Sequence, residues 1–205
     1  TAGPTKEMID PVRFISNESS GKQGYAIAET LQSLGAKTTL VSGPTSLAEP
    51  NVEQVIKVNS ADQMLEACES SLPADIAVCA AAVADYKIAN KEIAKIKKDG
   101  SRQNIILEEN PDILERLSKR NHLRPKLVVG FAAETSNLER NSDEKLNKKG
   151  CDWVLGNNVS ENSIFNQDTN KIYFTSKLYS ENWELMTKKE VAKKLCQKIS
   201  LHLNN

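Results

Sequence analysis

Six residues, Ser19-Ser20-Gly21-Lys22-Gln23-Gly24, open the first clear helical pattern of the chain. Small side chains there let backbone N–H groups approach an anion, and the positive end of the helix dipole favours one. The loop is not of the Walker type, which needs Gly at 16 and Ser or Thr at 23, where Ser16 and Gln23 stand. Read as Gly-x-Gly-x-x-Gly it has Gly21 and Gly24 but Ser19 in first place. Ser42 and Gly43 also stand where an acid should end the next strand. A dinucleotide site is disfavoured, and a tight turn capped by serines accounts for the loop equally well.

Three further clusters carry cations or free donors. Residues 87–98 hold five lysines (87, 91, 95, 97 and 98) against a single acid, Glu92. A charge run is most often a solvated loop. This one follows an apolar strand and Asp85-Tyr86, where ligands of open α/β sheets bind, and a mobile lysine loop suits a polyphosphate. Asn110-Pro111-Asp112-Ile113-Leu114 reads as a helix start, with Asn110 as cap and Pro111 in the first position. Its N–H groups at 112–114 are free either for an anion or for ordinary capping. Lys145 and Lys149 share one helix face near its C-terminus, where the dipole alone would also favour them. Together these clusters point to a nucleotide. One apparent motif is set aside: Tyr173 and Lys177 match the Tyr-x-x-x-Lys pair of short-chain dehydrogenases, but the segment reads as strand, where four residues span roughly 13 Å.

The elements that must position these residues alternate regularly. Strands are expected at 37–42, 55–58, 76–84, 105–107, 127–131 and 153–155, with 76–84 buried on both faces because its apolar run is unbroken. Helices are expected at 24–34, 61–69, 112–119 and 138–149, the first and last closed by Gly35 and Gly150. Residues 171–174 and 178–179 read as a small hairpin, followed by a closing helix over 188–203. The fold class is α/β: a doubly wound, mainly parallel Rossmann-like sheet with helices on both faces and a small C-terminal β hairpin. The chain reads as one domain, 1–205.

Composition narrows the function. Lys plus Arg and Asp plus Glu are both 27, a formal net charge of zero, which removes the general attraction that nucleic acid or a membrane surface exerts on a basic protein. The longest apolar run, 76–84, is nine residues where a membrane span needs roughly 20. The four cysteines form no Cys-x-x-Cys pair and the two histidines are far apart, so neither a zinc site nor a disulfide framework is indicated. Cys79, inside the apolar run, reads as a plain buried thiol. No signal peptide is evident, and a cytoplasmic location is expected.

The longer strings are specific to one family. Thr1-Ala2-Gly3-Pro4-Thr5, Ile9-Asp10-Pro11-Val12-Arg13-Phe14-Ile15-Ser16-Asn17 and the following Ser19-Ser20-Gly21-Lys22 resemble bacterial phosphopantothenoylcysteine synthetase, the CoaB ligase domain of coenzyme A biosynthesis. So do Ala81-Ala82-Val83-Ala84-Asp85-Tyr86, Lys95-Ile96-Lys97-Lys98, Asn110-Pro111-Asp112-Ile113 and Val129-Gly130-Phe131-Ala132-Ala133-Glu134-Thr135. The resemblance runs nearly end to end. It implies condensation of 4′-phosphopantothenate with cysteine, driven by CTP with Mg2+ (or Mn2+) through an acyl-cytidylate. Its metal ligands are not identified. By position, Asn17 corresponds to the asparagine that converts the acyl-cytidylate, and Lys95 to the flap lysine that helps form it. Ala80, Ala81, Asp85, Lys95, Pro111, Asp112, Ile113, Leu114, Phe131, Lys145 and Lys149 correspond to the CTP pocket. Asp10, Arg13 and Ser19 share the first motif with Asn17 without separate roles.

The resemblance further implies a homodimer with its site near the subunit interface. It also implies a flavin-dependent decarboxylase, fused or associated, of which this chain carries no part. With no initial Met, the first strand is expected to be truncated. An NAD(P)-dependent oxidoreductase on a similar sheet is the alternative enzyme class, and a nucleotide-sensing module without catalysis the third reading. Pyrophosphate release from CTP that depends on phosphopantothenate separates all three.

Overall fold

The structure, a computed structural model, describes residues 1–98, 100, 104–159 and 168–203. In chain order its elements are β1 (Lys6–Met8), β2 (Phe14–Ser16), α1 (Lys22–Ser33), β3 (Thr39–Ser42), β4 (Gln54–Lys57), α2 (Ala61–Ser70), β5 (Ile76–Cys79) and β6 (Tyr86–Ile88). There follow β7 (Leu107–Glu109), α3 (Ile113–Ser118), β8 (Leu127–Glu134), α4 (Leu138–Lys149), β9 (Trp153–Asn158), β10 (Thr169–Ser176), β11 (Ser180–Thr187) and α5 (Lys188–Leu203).

The main sheet has the order β11-β10-β9-β8-β5, with β5, β8 and β9 parallel and the last two strands antiparallel. Residues 1–5 continue it. Ala2 bridges Ser42 and Pro4 bridges Ala82, both in parallel sense, so the segment lies between β5 and the parallel pair β3–β4. The chain therefore winds outward in one direction through β3 and β4 and in the other through β5, β8 and β9. The reversal falls between residues 1–5 and β5, which is where such sheets form a ligand crevice.

Period-two alternation sorts the buried residues into two layers. Leu127 and Val129 of β8, with Trp153 and Leu155 of β9, pack against Ile27 of α1 and Val191, Leu195 and Ile199 of α5. Val128, Ala132 and Val154 point to the other face, against Leu114 of α3 and Leu146 of α4. Unbroken apolar runs are what a strand covered on both faces requires. Two glycines set the spacing of the second layer. A Cβ at Gly156 would stand 2.2 Å from Ser142 Oγ of α4, and one at Gly130 2.6 Å from Leu114 of α3.

The doubly wound class holds, with several local corrections. The strand expected over 76–84 pairs with β8 only as far as Cys79 and is half-buried. Beyond Cys79 the chain is held from residues 1–5 instead: Ala81 N–H donates to Thr1 Oγ1, Ala82 N–H to Gly3 O and Ala84 N–H to Thr5 Oγ1. The strand expected at 105–107 begins at Leu107 and pairs with β6, outside the main sheet. The C-terminal hairpin is larger than expected, with two eight-residue strands, and it joins the main sheet through β9. Leu178 and Tyr179 are its turn, their N–H groups donating to Ser176 Oγ. The helix expected from 112 starts at Ile113, capped by Asp112, whose carboxylate accepts from Glu115 N–H, rather than by Asn110. The short pair β1–β2 has no counterpart in the sequence reading.

Candidate active site

A cleft of about 1140 Å³ opens over the carboxyl ends of β5, β8 and β9 at the point where the winding reverses. Its wall on the α3–α4 side gathers most of the residues singled out in the sequence. Asp112, Lys145, Lys149 and the peptide of residues 111–114 all line it. Lys149 Nζ lies 2.5 Å from Asp112 Oδ2 and 3.8 Å from Glu115 Oε2. Burial pulls Lys149 down, but Asp112 and Glu115 more than offset this and leave it above the ordinary lysine value. Burial likewise raises Asp112, yet Lys149, the Glu115 N–H and Lys145 hold it below the usual carboxylate range. Among the described residues, Lys145 has no carboxylate in hydrogen-bond contact. Its Nζ donates to Phe131 O at 2.7 Å, and burial lowers its pKa. A cation that is costly to charge beside a carbonyl fits a site waiting for an anion.

The rim between the two walls is the chain from Ala80 to Tyr86, and Ala80, Ala81 and Asp85 face the cleft from it. Asn17 crosses to this rim: its Nδ2 donates to Val83 O at 2.9 Å, which leaves the second amide proton and the carbonyl oxygen without a partner among the described residues and open to a ligand. Asn110 braces the same stretch. Its backbone N–H donates to Asp85 O and its Nδ2 to Ala84 O, while its Oδ1 is buried without a partner among the described residues. Cys79, half-buried at the base, has a thiol that burial pushes up to about 12, so it stays protonated and inert at neutral pH.

The opposite wall belongs to α1 and α5. Residues 17–24, Asn157, Asn170 and Lys188 line it. Gly21 takes φ 75 at the start of α1, a conformation that favours glycine, and no side chain among the described residues caps that helix. Sequence reading found this loop but missed Asn157, Asn170 and Lys188. Asn157 closes a parallel strand and was findable by that rule, whereas the other two lie on the antiparallel return, which the rule does not cover.

Lys95 is the one candidate that the structure does not bring into the cleft. It is exposed on a segment tied down on either side of it, by Glu92 N–H to Ile9 O and by Ile96 to the β1–β2 turn. There Arg13 Nη2 donates to Ile96 O, and the buried carboxylate of Asp10 accepts from Ile96 N–H. Asp10 also takes both N–H groups of residues 12 and 13 and the Arg13 guanidinium, which holds it well below the ordinary carboxylate value. Lys87, counted in the same lysine run, belongs to β6 and pairs with Asp62 and Glu108 instead. Tyr173 and Lys177 do not form a dehydrogenase pair. Tyr173 is buried in β10 facing Asp143, and Lys177 lies past the strand end.

Among the described residues no three His, Cys, Asp or Glu side chains could cage a metal ion, and no helix is long and apolar enough to cross a membrane. The pattern of the family described as DNA/pantothenate metabolism flavoprotein C-terminal domain matches residues 1–202. The chain belongs to this family. A relative in Haemophilus influenzae, the coenzyme A biosynthesis bifunctional protein CoaBC, is 42% identical to this chain over 200 residues, 97% of this chain and 50% of that protein. The crystal structure of the C-terminal domain of a CoaBC protein superposes with a TM-score of 0.82 at 38% identity, covering 99% of this chain and 93% of that one. A Cab2 variant in complex with phosphopantothenate-cysteine shares the fold at a TM-score of 0.73 and 17% identity, over 100% of this chain and 87% of its own. The chain spans about half the length of the bifunctional relatives it matches.

Proposed function

We propose that this domain is the phosphopantothenate–cysteine ligase of coenzyme A biosynthesis, using CTP. The substrate carboxylate attacks the α-phosphorus and pyrophosphate leaves with the electron pair of the broken P–O bond. The cysteine amine then attacks the acyl carbon of the acyl-cytidylate, expels CMP and gives up a proton to yield 4′-phosphopantothenoylcysteine. One observation carries the reading: in a chain of this family, an anion-ready lysine wall and the Asn17 amide face each other across a single cleft at the winding reversal.

The residues divide the work. Lys145 and Lys149 offer fixed positive charge to the nucleotide, and Asp112 keeps Lys149 extended toward it. The peptide at 111–114, Phe131, Ala80, Ala81 and Asp85 shape the walls around the base and ribose. The free proton of the Asn17 amide is available to the oxyanion formed when the amine attacks. Lys95 reaches the triphosphate only if its tethered segment closes over the cleft. Mg2+ (or Mn2+) would fit here as an ion carried by the triphosphate, with a carboxylate such as Asp85 to hold it, and would neutralise developing charge; among the described residues no carboxylate cluster could cage it unaided.

A homodimer is part of this reading, supported by apolar side chains left exposed along the edge beside the lysine segment, Val12, Phe14, Ile93 and Ile106 among them. So is a decarboxylase partner, supported by the bifunctional relatives, and a cytoplasmic setting. Nothing favours an oxidoreductase. The test is pyrophosphate release from CTP, which is expected only with 4′-phosphopantothenate present and at least 10-fold faster than with equal ATP. Equal rates with the two nucleotides would refute the CTP assignment, and no release with either would refute the ligase.

A further inference from the structure

Lys188 is only 8% exposed, yet among the described residues its ammonium has neither a hydrogen bond nor an ion pair. It is also the first residue of α5, where the helix dipole presents positive charge and a cation is disfavoured. Among the described residues the acid acting on it is Asp168, already held by Lys22 at 2.6 Å. Burial, with Lys22 beside it, pushes its pKa below the ordinary lysine value. A buried cation at the wrong end of a helix, unpaired among the described residues, is destabilising unless an anion balances it.

The missing charge has a place to sit. Lys188 lines the cleft beside the first turn of α1, whose N–H groups at 22–24 have no helical partners and, among the described residues, no side-chain cap. Gln23 locks the two together: its Nε2 donates to Lys188 O at 3.0 Å and its Oε1 accepts from Asn170 Nδ2 at 3.1 Å. We propose that Lys188 and the first turn of α1 form a subsite for a phosphoryl group, on the α1–α5 side of the sheet and distinct from the Lys145–Lys149 wall. The ligands named below rest on the ligase reading, in which a phosphomonoester on the acyl substrate and the nucleotide triphosphate present the same chemistry.

Lys188→Met tests this, because it keeps the stem and removes the charge. The variant should melt no lower than the wild type, since it deletes an unpaired buried charge. Inorganic pyrophosphate, titrated calorimetrically, should bind the variant on the order of 10- to 100-fold more weakly, while Lys188→Arg stays within about threefold. That probe does not depend on the ligase reading. Phosphopantothenate against pantothenate, and CTP against cytidine, then identify the source, as only the phosphorylated member of one pair should lose affinity in Lys188→Met. Pyrophosphate binding unchanged in Lys188→Met, or a variant that melts markedly lower and is not rescued by Arg, overturns the subsite.

Discussion

At the scale of residues, Asn17 and Asp112 each do two things at once, and this sets what their substitution should show. Asn17 holds the rim through Val83 O, so Asn17→Asp turns a donor into an acceptor facing a carbonyl and removes the proton available to an oxyanion. Loss of one such donor costs about 2.7–4 kcal/mol in a hydrolase, so overall turnover should fall on the order of 100- to 1,000-fold. Displacement of the rim alone would slow both halves of the reaction. The catalytic role predicts instead that acyl-cytidylate accumulates in quenched reactions with labelled CTP, and its absence would count against Asn17. Asp112 ties stability to pH. Its pKa is depressed in the fold, so its contribution is present above the unfolded value of about 3.9 and is lost as pH falls through the lower folded value. In thermal melts from pH 6 to pH 3, Asp112→Asn should lie below the wild type at pH 6 and converge with it in acid. A gap independent of pH would show that the Lys149 pair contributes nothing to stability. Asp112 and both lysines were legible as types at spacings, but Lys188 was not, since its meaning comes from burial and from the absence of a partner among the described residues.

At the scale of elements, helices were easier to read than strands. The helices 138–149 and 188–203 match their sequence boundaries because apolar period, acidic first turns and the Gly150 cap agree. Strands β1, β2, β6 and β7 have three residues each, too few to show a period, and they form where neighbours supply partners. Residues 1–5 illustrate the dependence. They are not a regular strand, yet they fill the slot between β3 and β5 and hold the rim at 81–84. Gly43 makes room for them: a Cβ there would sit 1.7 Å from Pro4 O, which is backbone and cannot rotate away. Gly43→Ala should therefore destabilise by about 2–3 kcal/mol, at the upper end for overpacking, as read by urea unfolding. Because the same segment positions the rim, the folded variant should also bind CTP more weakly. A variant of wild-type stability would mean that residues 1–5 are displaced at little cost, and the rim would then need another support.

At the scale of the whole molecule, the doubly wound class and the place of the cleft followed from alternation of strands and helices, but the apolar edge that the dimer reading uses did not. Val12 (58% exposed), Phe14 (45%), Ile93 (96%) and Ile106 (67%) look unremarkable in sequence, as scattered apolar residues in polar stretches. Folding sets them on neighbouring segments: β1 packs against β6, the lysine segment is pinned to the β1–β2 turn, and Ile106 O accepts from Ala89 N–H just past β6. A second copy of the chain is the occupant that the dimer reading assigns to this edge. A stable interface needs roughly 1,200 Å² or more of buried surface, and an exposed charge at its centre would be desolvated without a partner. Phe14→Asp combined with Ile106→Asp should thus convert a dimer to a monomer in sedimentation equilibrium, while the helical circular dichroism is retained because both side chains already face solvent. Lys95 makes the consequence functional. It lies on the segment that borders this edge and outside the cleft of its own chain, so its approach to the nucleotide depends on how that segment is held. The double variant should therefore lose pyrophosphate release in the absence of cysteine while still binding CTP through Lys145 and Lys149. A wild-type chain that sediments as a monomer, or a double variant that remains dimeric, would remove the edge from the interface, and a monomeric variant with normal pyrophosphate release would uncouple the interface from Lys95.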